Sequence, residues 1–252
     1  LPSVTYPSHT TLITGVPPRV HGIVSNYVFD PEGRSLGAWT WYARWIRAPT
    51  LVSAARARGL STASVSWPVS VGLVADQLLP EFSRGASRHP SDLELLEALS
   101  TPGLLAGTAR ERGRPFGYPL TDADRVDVAV HVLRQHRPRL LLLHLLDLDS
   151  RQHDFGPFAP EARQAVEQAD AELGRLLQAV EEAGLGGRTV FAVVSDHGLL
   201  PVRQALKPNA RLREAGLVTL DEKNKVTAWR AWFQAEGGSA ALHLADPRDV
   251  AT

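Results

Sequence analysis

Two short apolar runs, each leading directly into an aspartate and a histidine, constrain this chain more than any other feature. Residues 139–146 are almost continuously apolar and run into the segment DLDSRQH at 147–153, and residues 189–194 run into SDHG at 195–198. Apolar runs of this length are typical of strands buried on both faces of a parallel sheet. The sequence therefore predicts two core strands that carry polar side chains at their carboxyl ends.

Helical patterns alternate with these strands. Apolar spacing predicts helices at 50–58, 122–135 and 161–183, and a further strand at 62–67. Such alternation predicts an α/β fold with a mostly parallel central sheet flanked by helices, in which function gathers beyond the carboxyl ends of the strands.

Other segments have weaker patterns. Residues 69–118 are rich in Gly, Pro, Ser and Arg and predict a surface insertion that holds one helix. Short strands are predicted at 217–220, 226–229 and 240–244.

The composition restricts the kinds of substrate and metal ligand that can be expected for this chain. The 27 basic and 27 acidic residues balance, so the chain lacks the electrostatic signature of a nucleic-acid platform and favours a small-molecule substrate. There is no cysteine, so a metal ion would have to be held by histidine, carboxylate or hydroxyl groups. No apolar run in this sequence is long enough to predict a membrane span.

The two Asp and His pairs suit a hard or borderline cation. Asp149 and His153 are four residues apart, and Asp196 and His197 are adjacent, so each pair can converge on an ion such as zinc. Each pair alone has an ordinary alternative as turn or capping residues. Two pairs at the ends of two core strands favour the metal interpretation.

Three motifs together resemble a known family. The stretch PSVTYPSHTTLITG at 2–15, followed by PRVHGI at 18–23, Asn26 and FDP at 29–31, resembles the nucleophile region of the nucleotide pyrophosphatase/phosphodiesterase family of the alkaline phosphatase superfamily. The DSRQH segment at 149–153, which runs into Gly-Pro, and SDHG at 195–198 are similar to the two metal-binding motifs of that family. SWP at 66–68 resembles its Trp-Pro turn. The resemblance covers nearly the whole chain, with the motifs in the order of the family.

The resemblance implies an alkaline-phosphatase-like fold and two divalent metal ions, with zinc as the preferred candidate. By this similarity, Asp149 and His153 would hold one ion, and Asp196, His197 and the Thr5 hydroxyl would hold the other. Thr5 would be the nucleophile and form a phosphothreonine intermediate in the hydrolysis of phosphodiester or pyrophosphate bonds, with nucleotides as the expected substrates. A threonine hydroxyl is a weak nucleophile at neutral pH, so direct coordination to a dication is a suitable way to activate it.

Further roles are implied for residues near these motifs. Asn26 matches the position whose amide donates to a phosphate oxygen. Tyr6 matches the aromatic residue that stacks on the nucleoside, and His144 matches a second position that shapes that pocket. We interpret His9 and His21 as structural supports of the nucleophile segment.

Two family residues have no counterpart in this sequence. The family places one more Asp on a core strand before the nucleophile and one more His in a later His-Gly motif. We therefore expect residues 1–252 to form a single but partial catalytic domain that lacks the first core strand and the C-terminal part. His243, in a strand-like alternation, is interpreted as a strand residue rather than the missing ligand. The family would place the protein in the periplasm or outside the cell.

Alternatives remain at this point. A phosphomonoesterase or a sulfatase of the same superfamily would share the metal pair. However, no sulfatase motif surrounds Thr5, and no Arg or Lys that could hold extra phosphate charge occurs before Pro18. A non-catalytic domain, as a pseudoenzyme or an inactive truncated form, is the alternative from another class.

Overall fold

The computed structural model describes residues 3–35, 37–82 and 91–249. Its α-helices are α1 (Thr5–Thr14), α2 (Pro18–His21), α3 (Leu51–Arg56), α4 (Asp92–Leu99), α5 (Leu104–Arg112), α6 (Asp122–His136), α7 (Asp147–Phe155), α8 (Pro160–Glu182) and α9 (Pro208–Glu214). Its strands are β1 (Thr62–Val65), β2 (Gln77–Leu79), β3 (Leu140–Leu143), β4 (Val218–Leu220), β5 (Val226–Trp229), β6 (Ala231–Glu236) and β7 (Ser239–Leu244).

A parallel sheet with strand order β2-β1-β3 lies at the centre of the described chain. Its register pairs Val65 of β1 with Leu79 of β2 and with Leu143 of β3. Helices α6 and α8 pack beside it, and buried apolar residues of both helices share one core with Val65 and Leu79. The predicted α/β class, with a parallel sheet flanked by helices, is therefore confirmed.

Two of the predicted helices, α3 and α6, begin at capping boxes. Thr50 and Thr121 each accept a hydrogen bond from the backbone N–H of the third helical residue, whose side chain accepts one from the backbone N–H of the cap. Gly15 ends α1 with φ of +69°, a left-handed conformation that costs glycine nothing. Capping side chains and left-handed glycines act within one helical turn. This explains why the predicted helices begin and end near their predicted bounds.

The prediction of a surface insertion at 69–118 is wrong for the described part of that segment. β2 is a strand of the central sheet, and Leu96, Leu104 and Leu105 of α4 and α5 lie in the main core. Three residues, Gln77–Leu79, are too few to give a strand periodicity, so the strand is visible only through its pairing with β1. Residues 83–90 of the segment lie outside the described residues.

The predicted buried strand at 189–194 is also wrong. These residues form no strand, and Val190 is 93% exposed. In the part of the chain that the structure describes, no strand pairs with this segment, so its backbone groups have no ladder to join. Residues 189–194 are apolar, but they can be buried only where another strand or helix packs against them.

Two antiparallel hairpins follow, β4 with β5 and β6 with β7. The predicted strands at 217–220, 226–229 and 240–244 correspond to β4, β5 and β7, whereas β6 was not predicted. Among the described residues, no helix combines the length and apolar character that crossing a membrane requires.

The core position of β2 leads to a testable prediction. Leu79→Ala removes a side chain with no exposed surface, and we expect it to lower the free energy of unfolding by about 2–5 kcal/mol. The control is Leu51→Ala in α3, where the side chain is half exposed and the expected loss is below about 1 kcal/mol. Urea denaturation measures both. Equal small losses would contradict the core position of β2.

Candidate functional site

Helix α1 positions Thr5 at the boundary between the core and the solvent. Residues 6–10 of the helix are buried, whereas Thr5, its first residue, is partly exposed. The first N–H groups of a helix have no partner within it and create a partial positive charge there. The Thr5 hydroxyl therefore stands where an anionic group would be favoured.

Asn26 caps this helix from outside. Its Oδ1 accepts a hydrogen bond from the Tyr6 backbone N–H at 2.8 Å. Because that N–H can only donate, the amide oxygen must face it, and the Nδ2 group remains a donor that does not serve the cap. The Asn26 backbone N–H in turn donates to Glu236 Oε2 of β6 at 3.0 Å. Sequence reasoning missed Glu236, because it lies 210 residues away.

Asp149 and His153 lie one turn apart on α7, with 3.4 Å between Asp149 Oδ1 and His153 Nε2. The start of α7 is held by Asp122 of α6, whose carboxylate accepts the N–H groups of Leu146 and Asp147 at 2.7 and 3.0 Å. Burial raises the pKa of Asp122, although these two hydrogen bonds and Arg125 oppose the rise.

His197 is the residue at which the motifs meet. Its Nε2 lies 3.4 Å from Thr5 Oγ1, 3.4 Å from Asp196 Oδ2 and 3.8 Å from Asp149 Oδ1. The structure thus brings together the nucleophile segment and both predicted metal-binding motifs. His153 is placed more peripherally, because its side chain is 64% exposed and its contact in this group is with Asp149.

The donor set suits a divalent ion. Asp149 Oδ1 is enclosed without a hydrogen-bond partner among the described residues, yet it lies within 4 Å of two imidazole nitrogens. An enclosed carboxylate oxygen that faces imidazole nitrogens is a ligand arrangement typical of zinc and related cations. The residues present therefore fit the metal that the sequence motifs predict.

A second group of polar side chains lies behind Thr5. His9 Nδ1 is 2.9 Å from the Thr5 carbonyl oxygen and 3.4 Å from Asp196 Oδ2. The His9 ring lies 4.3 Å from that of His144, and His144 Nδ1 is 2.8 Å from Glu81 Oε2. Sequence reasoning missed Glu81, although an acidic residue just beyond a strand that ends at Leu79 is the same signal that identified Asp149.

Tyr6 does not occupy a ligand-facing position. Its ring is 1% exposed and packs edge-on against Trp39, with 5.2 Å between ring centroids. Burial, together with Glu81 beside the hydroxyl, raises the pKa of Tyr6 well above its usual value. A ring enclosed in this way has no open face for stacking, so Tyr6 cannot make the predicted nucleoside contact in this arrangement. His144 is 11% exposed and faces Glu81 and His9.

The comparisons with known proteins decide the family. The model of the type I phosphodiesterase / nucleotide pyrophosphatase family matches residues 1–249. The chain belongs to this family. The matched residues include the Thr5 segment and both Asp and His pairs.

Individual relatives are distant. The human ectonucleotide pyrophosphatase/phosphodiesterase family member 1 is 22% identical over 205 residues, which cover 79% of this chain and 19% of the relative. An uncharacterized pyrophosphatase/phosphodiesterase of Schizosaccharomyces pombe is 27% identical over 209 residues, which cover 79% of this chain and 37% of the relative. The chain thus spans well under half the length of these family members.

A solved structure matches the whole chain. Phosphonoacetate hydrolase from Sinorhizobium meliloti 1021 aligns with a TM-score of 0.63 at 22% identity, over 100% of this chain and 60% of that one. This likeness shows the fold, and the alkaline-phosphatase-like architecture predicted from the sequence is confirmed with it.

The buried His9 makes a prediction about pH. Burial first, and then the neighbouring His144, lower the pKa of His9 from 6.5 to about 4. The unfolded chain then binds the proton more tightly than the folded one, so this stability is present above about pH 6.5 and is lost as the pH falls towards 4. Between pH 7 and pH 5, we expect the free energy of unfolding to fall on the order of 1–2 kcal/mol further in the parent chain than in His9→Gln.

Urea denaturation in the presence of a chelator at the two pH values measures this difference. Comparing the two proteins cancels the contributions of other titrating groups. Equal losses in both proteins would contradict a neutral, buried His9.

Proposed function

We propose that this protein hydrolyses phosphodiester or pyrophosphate bonds, with nucleotides as the substrate class. One observation carries the proposal. Thr5 Oγ1 and one carboxylate oxygen each of Asp149 and Asp196 all lie within 4 Å of His197 Nε2. Family membership supports the reaction class, and the names of the relatives support nucleotide substrates. A hydroxyl at a helix start beside a cluster of carboxylate and imidazole groups suits attack on phosphorus.

Thr5 is the nucleophile in this proposal. Its Oγ1 loses its proton and forms a bond to phosphorus as the bond to the leaving oxygen breaks. Water then cleaves the phosphothreonine, which releases the phosphoryl product and restores the Thr5 hydroxyl. Because the positive end of the α1 helix dipole lies at the first residue of the helix, the phosphoryl charge is favoured at this position. The partial exposure of Thr5, beside a buried helix, leaves its hydroxyl open to substrate while its backbone is fixed.

Asp149 and His153 would hold one divalent ion, and Asp196, His197 and Thr5 would hold the other. Two such ions, with zinc favoured by the nitrogen and oxygen donors, would lower the pKa of the Thr5 hydroxyl and neutralise charge on the phosphoryl group. Both carboxylates are already held by the fold, since α7 is fixed by Asp122 and the SDHG segment contacts His9.

Asn26 stabilises the transition state in this scheme. Its oxygen serves the Tyr6 N–H, so its amide hydrogens can point to a non-bridging phosphate oxygen without breaking the helix cap. A donor held in place before the reaction pays no reorganisation cost during it. Glu236 acts indirectly, because its carboxylate accepts the hydrogen bond of the Asn26 backbone N–H and so fixes the position of Asn26.

Thr5→Ala tests the nucleophile. We expect a loss in kcat of about 10⁴-fold or more with zinc content retained, because the hydroxyl is one ligand among several but the only nucleophile assigned. Thr5→Ser, the matched control, keeps the hydroxyl and should retain much of the activity. Asn26→Ala should be milder, on the order of 10²-fold, because one phosphate donor is lost. Near-normal turnover of Thr5→Ala, or a larger loss in Asn26→Ala, would exclude these roles.

The substrate class is tested separately. The protein should cleave a p-nitrophenyl ester of a nucleoside monophosphate faster than p-nitrophenyl phosphate, because no Arg or Lys before Pro18 is available for the extra charge of a monoester. Chelation should abolish both activities, and zinc should restore them. A clear preference for the monoester would instead assign the protein to the phosphatases of the superfamily.

A further inference from the structure

His9 faces two parts of the candidate site through a single ring nitrogen. Its Nδ1 lies 2.9 Å from the Thr5 carbonyl oxygen and 3.4 Å from Asp196 Oδ2. A carbonyl oxygen can only accept a hydrogen bond, so Nδ1 must carry the hydrogen. The same N–H therefore binds the backbone of the proposed nucleophile and faces the carboxylate of a proposed metal ligand.

The His9 ring is packed so that this N–H keeps its direction. Only 6% of its side chain is exposed. It lies edge-on to Trp67, with 4.8 Å between ring centroids, and 4.3 Å from the ring of His144. His144 is itself fixed by a contact of 2.8 Å with the Glu81 carboxylate. Rotation of the His9 ring would displace these neighbours and break the hydrogen bond to Thr5, so the donor is in place before a substrate binds.

Asp196 depends on side-chain contacts, because strand pairing does not set its position. In the described chain, residues 189–194, which precede the SDHG segment, belong to no strand. Asp196 Oδ1 accepts the backbone N–H of His197 at 3.0 Å, a contact within the segment itself. Asp196 Oδ2 lies 3.4 Å from His9 Nδ1 and 3.4 Å from His197 Nε2. His9 thus connects the orientation of this carboxylate to helix α1.

We propose that His9 is a positioning residue that fixes Thr5 and Asp196 relative to each other, so that the hydroxyl and the carboxylate can share one divalent ion. This role rests on the proposed function, in which Asp196, His197 and Thr5 hold that ion. An N–H that faces a ligating carboxylate orients it before the ion binds. Partners of this kind typically contribute about 10–100-fold to metal affinity or activity.

Zinc affinity tests the contact with Asp196. In a His153→Gln background, which disables the other predicted ion site, His9→Leu should weaken zinc binding about 10–100-fold, because the carboxylate loses the N–H that orients it. His9→Asn should restore most of the affinity, because its amide nitrogen is as many bonds from Cβ as Nδ1 is. Competition with a chelator measures these affinities. Equal affinity in His9→Leu and its background, or an equal loss in His9→Asn, would overturn the proposal.

His21→Leu is the matched control. His21 is also buried in the nucleophile segment, but its ring nitrogens lie 3.0 Å from Thr11 Oγ1 and 3.2 Å from the Ile23 backbone nitrogen. In the same background, we expect this variant to lose stability but to keep its zinc affinity once folded. A loss of affinity as large as that of His9→Leu would reveal a general packing effect and exclude the positioning role.

Turnover separates this role from the proposed function. At saturating zinc, kcat of His9→Leu should fall about 10–100-fold with KM little changed, and His9→Asn should recover most of it. An inactive parent chain that binds zinc would contradict the proposed function, whereas the zinc affinities would still decide the role of His9. Should His9→Leu not fold, His9→Gln replaces it, because its amide nitrogen lies one bond further from Cβ than Nδ1 does.

The metal-free chain offers a direct measurement of the donor. Nitrogen-15 NMR at pH 7, where burial keeps His9 neutral with a pKa of about 4, distinguishes the two tautomers. We expect the hydrogen on Nδ1. A hydrogen on Nε2 would remove the donor that Thr5 and Asp196 share, and the proposal with it.

Discussion

The Asp122 carboxylate of α6 holds the start of α7, the helix that carries the first predicted metal-binding motif. It accepts the N–H groups of Leu146 and Asp147 and pairs with Arg125 at 3.0 Å. Because the two N–H groups belong to the N-cap and to the first residue of α7, they would otherwise have no helical partner. One buried acidic group thus satisfies the helix start and fixes the direction in which α7 leaves β3. The position of Asp149 depends on that direction.

The parallel sheet supplies the second constraint. Parallel strands end at the same edge, so Glu81 after β2 and His144 after β3 are neighbours although 63 residues separate them. His9 of α1 then links this pair to Asp196. A polar chain therefore runs from the sheet edge to the SDHG segment. Its members are largely buried, so water does not compete for the hydrogen bond between His144 and Glu81 or for the contact between His9 and Asp196.

Much of the site followed from the sequence, because the relevant signals are local. The four-residue spacing of Asp149 and His153 predicted that the two side chains can converge, and they lie 3.4 Å apart on α7, a helix that was not predicted. The segment after Ser8 predicts a short helix that Gly15 ends, and α1 ends there but begins earlier, at Thr5. The roles of these residues in metal binding and catalysis remain predictions, since they depend on chemistry that a fold alone does not test.

The sequence by itself determined the α/β class, the helix at 122–135 and the order of the family motifs, because each depends on patterns of nearby residues. Only the tertiary structure decided that β2 belongs to the sheet, that residues 189–194 are unpaired and that Tyr6 is enclosed. It also revealed Glu81 as the partner of His144. Strand pairing, burial and tautomer choice depend on groups far away in the chain, so no local pattern can carry them.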